Sequence, residues 1–155
     1  MRPILVATID NTNEMIAEEI QTVQYAAYLQ EAKLLGATWF PPLERTAADI
    51  RRSADDFFGA YIDDVLVGVA SIESSNAQLP PSISSLTVLP QHQRRGAARQ
   101  LLSTVLAATG TQAVTVSTGA RNEPALALYA AFGFVPFRYR TVGEEQLELV
   151  ELKRD

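Results

Sequence analysis

The segment VLPQHQRRGAARQLL, residues 88–102, joins a β-rich run to a stretch of helical spacing across one proline and one glycine. Ile83 to Leu89 reads as a strand that Pro90 ends, and Ala98, Leu101, Leu102 and Val105 recur on one face of a 3.6-residue period over Gly96 to Ala108. The first amides of a helix lack intrahelical partners and its macrodipole favours a nearby negative charge by roughly 0.3–1 kcal/mol, so such a junction binds anions. Gly96 lets an anion approach the backbone, and Ala97 and Ala98 keep the first turn free of bulk. Arg94 and Arg95 add forked donors suited to phosphate oxygens. A pyrophosphate fits this description. The Walker pattern is absent, because no Gly-Lys-Ser/Thr follows, and so is the dinucleotide fingerprint, because the turn holds a single glycine.

Upstream, Pro3 to Ile9 is a short β-rich run, and Asn11, Thr12 and Asn13 supply cap chemistry for a helix whose first turn carries Glu14. Ile16, Ile20, Val23, Ala27 and Leu34 mark its apolar face, and Gly36 closes it. Pro41 and Pro42 interrupt the chain, so residues 36–44 form a loop carrying Trp39 and Phe40, and Glu44 to Arg52 reads as a second, shorter helix. Phe57 to Ile62 and Val65 to Glu73 are strands joined at Asp63-Asp64 as a hairpin, and Ser74 to Ser82 is a polar loop. Downstream, Ala113 to Thr118 is a strand and Pro124 to Phe132 a helix stopped by Gly133. Phe134 to Arg140 and Gln146 to Lys153 finish as strands, the latter alternating Leu147 and Leu149 with Glu148 and Glu151.

With 155 residues, 47% of them hydrophobic and 20% charged, the chain supports about one domain, spanning 1–155, with a self-sufficient core. The absence of cysteine removes disulfide scaffolds, thiolate metal sites and thiol nucleophiles, and the single histidine, His92, leaves too few ligands for a histidine-built zinc site, so no metal is expected. His92 itself reads as a solvated loop residue. The longest apolar stretches, such as Val65 to Ala70, fall far short of the ~20 residues of a membrane span, and the N-terminus lacks a basic segment followed by a long apolar one. A soluble, cytoplasmic protein with no membrane partner is the expectation. A net charge of -5 argues against a general polyanion binder, and a nucleic-acid-binding reading would rest on Arg94, Arg95 and Arg99 alone.

Val88-x-Pro90 followed by Gln93-Arg94-Arg95-Gly96-Ala97-Ala98 resembles the Q/R-x-x-G-x-G/A acyl-CoA signature of the GNAT superfamily of N-acetyltransferases. Asn122-x-x-Ala125-x-x-Leu128-Tyr129-x-x-x-Gly133-Phe134 is similar to that family's downstream motif, at the expected distance. The order β, α, α, β, β, β, α, β, α, β, β matches the superfamily over nearly the whole chain, although the N-terminal third agrees in element order only. The resemblance implies an α/β fold of the α+β kind: a central, twisted, mixed sheet flanked by helices. In it the strand at Ile83 to Leu89 and the strand at 113–118 splay apart to admit the pantetheine arm of acetyl-CoA. It also implies that the main chain of Leu86, Thr87 and Val88 pairs with pantetheine like an added strand. The segment Gln93 to Ala98 would hold the pyrophosphate through its amides, and Asn122 would contact pantetheine or fix the start of the last helix.

Acyl transfer to an amine requires a neutral nucleophile, a polarised thioester and a proton for the departing thiolate. A tyrosine, with an ordinary pKa of ~10, is protonated at neutral pH, and in the family the Tyr129 position serves as the general acid. Many relatives place a glutamate on the strand that here carries Ser84 and Ser85. The base is then Glu73 acting through a water, or solvent itself. Tyr25, Tyr28, Trp39 and Phe40 belong either to the core or to an acceptor pocket, and Arg99 and Arg121 are either surface charges or contacts to the 3'-phosphate. Small amines, amino-acid derivatives and protein termini all stand as acceptors. The β-rich C-terminal end suggests pairing between subunits as a homodimer. A catalytically silent acyl-CoA-binding or sensing module is the alternative to an enzyme, and free CoA release separates the two.

Overall fold

Local chemistry sets both ends of the first helix, α1 (Glu14–Leu35). The Asn13 side chain accepts from the Ile16 amide at 3.0 Å, and Gly36 adopts φ +68° while its amide bonds the carbonyls of Ala32 and Lys33. The computed structural model describes residues 2–73, 79–110 and 112–155. The expected loop from Ser74 to Ser82 therefore lies partly, at 74–78, outside the described residues. The remaining elements are β1 (Leu5–Ile9), α2 (Ala47–Arg52), β2 (Asp56–Ile62), β3 (Val65–Glu73), β4 (Ser82–Val88), α3 (Ala97–Thr109), β5 (Val114–Gly119), α4 (Glu123–Ala131), β6 (Val135–Val142) and β7 (Leu147–Arg154). Short 3₁₀ turns occupy Pro41–Glu44 and Pro90–His92.

Two expected elements are corrected. The second helix does not begin at Glu44, because Thr46 and Asp49 form a reciprocal capping box that restarts the chain at Ala47. On α1 the buried face ends on Ala32 and Leu35, whereas Leu34 is half exposed. The last turns of that helix lean on the proline loop, where Ala32, Leu35 and Phe40 form a small cluster of their own.

The strands form one seven-stranded sheet in the order β1-β2-β3-β4-β5-β7-β6. Asp63 and Asp64 turn the β2–β3 hairpin with φ of +50° and +65°, the left-handed pair that a two-residue turn of this hand requires. Phe57 and Phe58, adjacent on β2, enter different apolar clusters, as a period of two demands. Phe57, Leu66 and Val69 meet Ala17, Ile20 and Val23 of α1 and Ile50 of α2. Phe58, Val67, Ala70 and Val116 meet Leu101, Leu102 and Val105 of α3 and Tyr129 of α4. On β7 the core residues are Val150 and Leu152, so Leu147 and Leu149 are not the buried pair their alternation suggests; they are half buried and face a cavity instead.

All neighbouring strands are antiparallel except β4 and β5, which run parallel and pair only at Ser82 with Thr115 and Ile83 with Val116. Beyond that point they part. The mixed sheet flanked by helices is the expected α/β architecture, and the splayed pair lies where the expectation put it. Among the described residues no helix is long and apolar enough to cross a membrane. The outer strand β6 leaves Val135, Phe137 and Tyr139 more than half exposed.

A six-residue helix such as α2 is too short to hold itself, and Asn11 ties its end down. The buried Asn11 amide donates to the carbonyl of Ile50 at 2.7 Å and to that of Ser53 at 3.1 Å. Replacing Asn11 with Ala should cost about 1–3 kcal/mol in urea unfolding, because both carbonyls lose the Asn11 amide and the Ile50 carbonyl keeps only the Ser53 amide at 3.2 Å. The exposed Met15→Ala change on the same helix entry should stay within about 0.5 kcal/mol of the parent.

Candidate active site

The chain leaves β4 at Val88, and the Leu89 amide still donates to the Val67 carbonyl at 2.8 Å. It then turns through Arg94 at φ +65° and Gly96 at φ +90° before α3 begins at Ala97. Side chains cap α1, α2 and α4 through Asn13, Thr46 and Asn122, but none caps α3. Its first amides are therefore left to whatever lies in front of them. That space is a cleft of about 830 Å³ bounded by Leu86, Thr87 and Val88 on one side, by Gln93, Arg94, Gly96, Ala97 and Ala98 at its end, and by Asn122 and Tyr129 across from them.

Some expected residues stand differently. Arg95 is exposed and does not line the cleft, whereas Arg99 does, with its guanidinium 6.0 Å from the ring centre of Phe132. The Gln93 side chain works inside the protein: it donates to Gln30 at 2.6 Å and to the Val88 carbonyl at 3.3 Å, pinning the turn to α1 and to the strand before it. His92 borders the cleft as well. Glu73 sits exposed at the end of β3, opposite Ser82 at the start of β4, and lines neither this cleft nor the cavity beside it.

That neighbouring cavity, about 240 Å³, is walled by Phe40, Pro41, Pro42, Val142, Leu147 and Leu149. It meets the cleft at Tyr28, Glu31, Leu86, Asn122, Ala125 and Tyr129, which line both. Of the aromatics assigned to core or acceptor pocket, Tyr28 and Phe40 line this cavity and stand edge to face with ring centres 6.0 Å apart. Tyr25 and Trp39 do not line it; both are about half exposed, and Trp39 closes over the backbone of Gly143. The Glu145 carboxylate accepts the amides of Thr38 and Trp39, each at 3.1 Å, and the Thr38 hydroxyl, so the β6–β7 turn is stapled to the proline loop.

Tyr129 is buried, with its ring edge to face on Phe134 at 5.4 Å. Burial, reinforced by the nearby charge of Glu31, holds its phenol well above the ordinary tyrosine range, so it stays protonated at neutral pH. Tyr28 is pushed upward for the same two reasons. Burial also raises the Glu31 carboxyl, against the lowering effect of a hydrogen bond that Asn122 donates at 3.1 Å. Asn122 thereby does two things: its oxygen accepts the Ala125 amide at 3.2 Å to cap α4, and its nitrogen orients Glu31.

Where a strand carboxylate was missing, the structure places hydroxyls. The β3–β4 register slips between Ser71 and Ile72, so that Ser71 faces both Ser84 at 2.7 Å and Ser85 at 2.6 Å. Ser84 donates to Asp55 at 2.7 Å, while Ser85 accepts from Gln24 at 3.2 Å and is hydrogen-bonded to Tyr28. Glu31 is the residue that sequence reasoning missed. It falls four residues after Ala27, in the seven-residue gap of the apolar stripe that runs on to Leu34. A carboxylate on that stripe was the available signal. Among the described residues no three His, Cys, Asp or Glu side chains gather as a metal site.

Residues 9–153 match the family model for the acetyltransferase (GNAT) domain. Among curated proteins the chain is 32% identical over 131 residues to UPF0157 protein YqkA of Bacillus subtilis (strain 168), covering 84% of this chain but 38% of that protein. It thus spans well under half the length of that relative. Among solved structures, the ribosomal-protein-S18-alanine N-acetyltransferase of Escherichia coli has a TM-score of 0.75 at 15% identity, covering 98% of this chain and 93% of that one. An N-acetyltransferase from Staphylococcus aureus Mu50 gives 0.75 at 16% identity, with 99% and 98% covered. YncA from Salmonella typhimurium, solved with its cofactor acetyl-CoA, gives 0.73 at 15% identity, with 97% and 92% covered. These likenesses are likenesses of fold. The family match over almost the whole chain makes this protein a member of the GNAT acetyltransferase family.

Proposed function

We propose that the protein transfers the acetyl group of acetyl-CoA to a primary amine by direct attack, with Tyr129 as general acid. The observation that carries this reading is the continuity of the cleft. It runs from the uncapped start of α3, along the unpaired edge of β4, to the buried Tyr129 phenol. In this reading the amides of Arg94 to Ala98 take the pyrophosphate, with Arg94 and Arg99 adding side-chain charge and Arg95 contributing through its backbone. The edge of β4 at Leu86, Thr87 and Val88 offers main-chain groups to the pantetheine arm, since no strand of the sheet pairs with them on the β5 side. The occurrence of the same fold with acetyl-CoA in YncA supports the choice of cosubstrate.

At the end of the arm the thioester meets the junction of the two cavities. The amine nitrogen bonds the carbonyl carbon, the C–S bond breaks, and the thiolate takes the Tyr129 proton. Loss of a proton from the nitrogen completes the balance. Glu73 has no part in this scheme, because it stands at an exposed strand end away from both cavities.

With acetyl-CoA about 100-fold above its dissociation constant, the protein should gain about 2.7 kcal/mol, read as a rise in melting temperature. Gly96→Asp should abolish that rise by setting a carboxylate where the diphosphate belongs. Gly96→Ala, which carries the same cost of a positive φ without the charge, should keep part of it. An undiminished shift in the Asp variant would mean that the diphosphate lies elsewhere.

Tyr129→Phe should hold acetyl-CoA with nearly parental affinity while CoA release in the presence of an accepted amine slows by about 10²–10⁴-fold. A rate equal to that of the parent would remove Tyr129 from the chemistry. Tight binding without CoA release for any amine would favour the sensing module.

A further inference from the structure

The smaller cavity has an unusual charge inventory. Its walls carry just two charged side chains, Glu31 where it opens into the cleft and Arg140 on β6, and the rest is apolar or uncharged. Glu31 spends one oxygen on Asn122, and its other oxygen has no protein partner among the described residues. Arg140 shares the carboxylate of Glu151 with Arg138, so two guanidinium groups stand beside one carboxylate and leave one positive charge in excess. Arg138 holds Glu151 more closely, and Arg140 lies 3.5 Å from it through Nε alone. The terminal nitrogens of Arg140 have no protein partner among the described residues. At about 240 Å³ the space is below the roughly 300–1,000 Å³ of pockets that hold drug-sized ligands.

Resting on the acetyl-transfer reading above, we infer that the acceptor is a compact amino-acid-like zwitterion whose ammonium group is held and deprotonated by Glu31, whose carboxylate is held by Arg140, and whose apolar body lies against Phe40, Leu147 and Leu149. The step balances as follows. The ammonium first gives one proton through Glu31 to solvent; the neutral nitrogen then bonds the thioester carbon, the C–S bond breaks, the free oxygen of Glu31 takes the second nitrogen proton, and Tyr129 gives its own to the departing thiolate. Glu31 and Tyr129 both stand where the cavities meet, so one site supplies the acceptor of one proton and the donor of the other. The titratable groups facing Glu31 are Tyr28 from its own helix and Tyr129 from α4, both held protonated at neutral pH, so Glu31 is the group that is free to accept. A primary amine without a carboxylate leaves Arg140 unmet, and a peptide has its first amide where the carboxylate should be.

The test compares leucine, leucinamide, isoamylamine and a leucine-led tripeptide, and the corresponding phenylalanine series, as acceptors in a CoA-release assay with acetyl-CoA. The free amino acids should exceed their amides and amines in kcat/KM by at least about tenfold, the worth of one charge-assisted hydrogen bond. Arg140→Gln should erase that preference by raising KM for the amino acid alone, and Arg140→Lys should restore part of it. Glu31→Gln should lower kcat by about 10²-fold or more for every acceptor, with acetyl-CoA binding intact. Equal use of amino acid, amide and amine, or a preference that survives Arg140→Gln, overturns the inference while leaving acetyl transfer standing. No CoA release with any acceptor overturns the acetyl-transfer reading, and this inference with it.

Folding is controlled by the same variant. Burial raises the Glu31 pKa in the folded state, so the favourable effect of its neutral form is complete below the unfolded value and is lost as pH rises through the folded one. Glu31→Gln should therefore melt at or above the parent temperature at pH 7, with the difference fading as the pH falls below about 4.3, the ordinary range of a glutamate. A variant that melts lower at pH 7 would show that Glu31 holds the fold rather than the acceptor.

Discussion

Strands β4 and β5 share two positions of parallel register and then separate, although each is held along its length by a neighbour on its other side. β4 is laddered to β3 from Ser82 through Val88, and β5 to β7 from Val114 through Gly119. Neither strand can bend back to close the gap without giving up hydrogen bonds already made. The facing edges therefore keep main-chain donors and acceptors that must be met by solvent or by an extended ligand. A wedge of this kind inside a sheet gives a ligand two things at once: a row of backbone groups to pair with, and a path between the two faces of the sheet.

What fills the mouth of that wedge comes from three helices. The start of α3 brings uncapped amides, α1 brings Tyr28 and Glu31, and α4 brings Tyr129. The elements depend on one another through few contacts. Asn122 caps α4 and in the same act fixes Glu31, so the position of Tyr129 and the orientation of the carboxylate share one side chain. Gln93 couples the turn before α3 to Gln30, the residue before Glu31. The two ends of the cleft are thus tied through one helix, α1, whose last turns are in turn held by the proline loop.

The parts of this site that could be read from sequence are those set within a few residues. The strand–turn–helix at 88–102, the Asn13 and Gly36 ends of α1 and the Asp63-Asp64 hairpin each follow from local backbone chemistry. The parts that could not be read depend on which way a side chain turns relative to elements far away in the chain. Arg95 and Arg99 look interchangeable as neighbouring charges, yet only the second faces the cleft, because Arg95 stands in the exposed turn before α3 and Arg99 in the first turn of the helix itself. Leu147 and Leu149 look like core residues and instead wall a cavity, because the space above them is where β5 leaves β4. Glu31 sat unnoticed among apolar neighbours, since only the packing of α1 over the wedge shows that its carboxylate is half buried and faces both cavities.

The serines at the slipped register bear on how the site manages without a carboxylate on β4. Ser84 spends its single proton on Asp55, to which it donates at 2.7 Å. Ser84 is then left to accept from Ser71, and Ser71 to accept from Ser85. With its own proton committed, Ser85 receives from Gln24. The serine chain is therefore polarised in one direction, from Ser85 through Ser71 and Ser84 to Asp55. A carboxylate in place of Ser84 would stand beside Asp55 as a second acidic group where Asp55 now has a donor. Asp55 therefore favours a hydroxyl at Ser84, and the carboxylate that lines both cavities comes instead from α1, at Glu31.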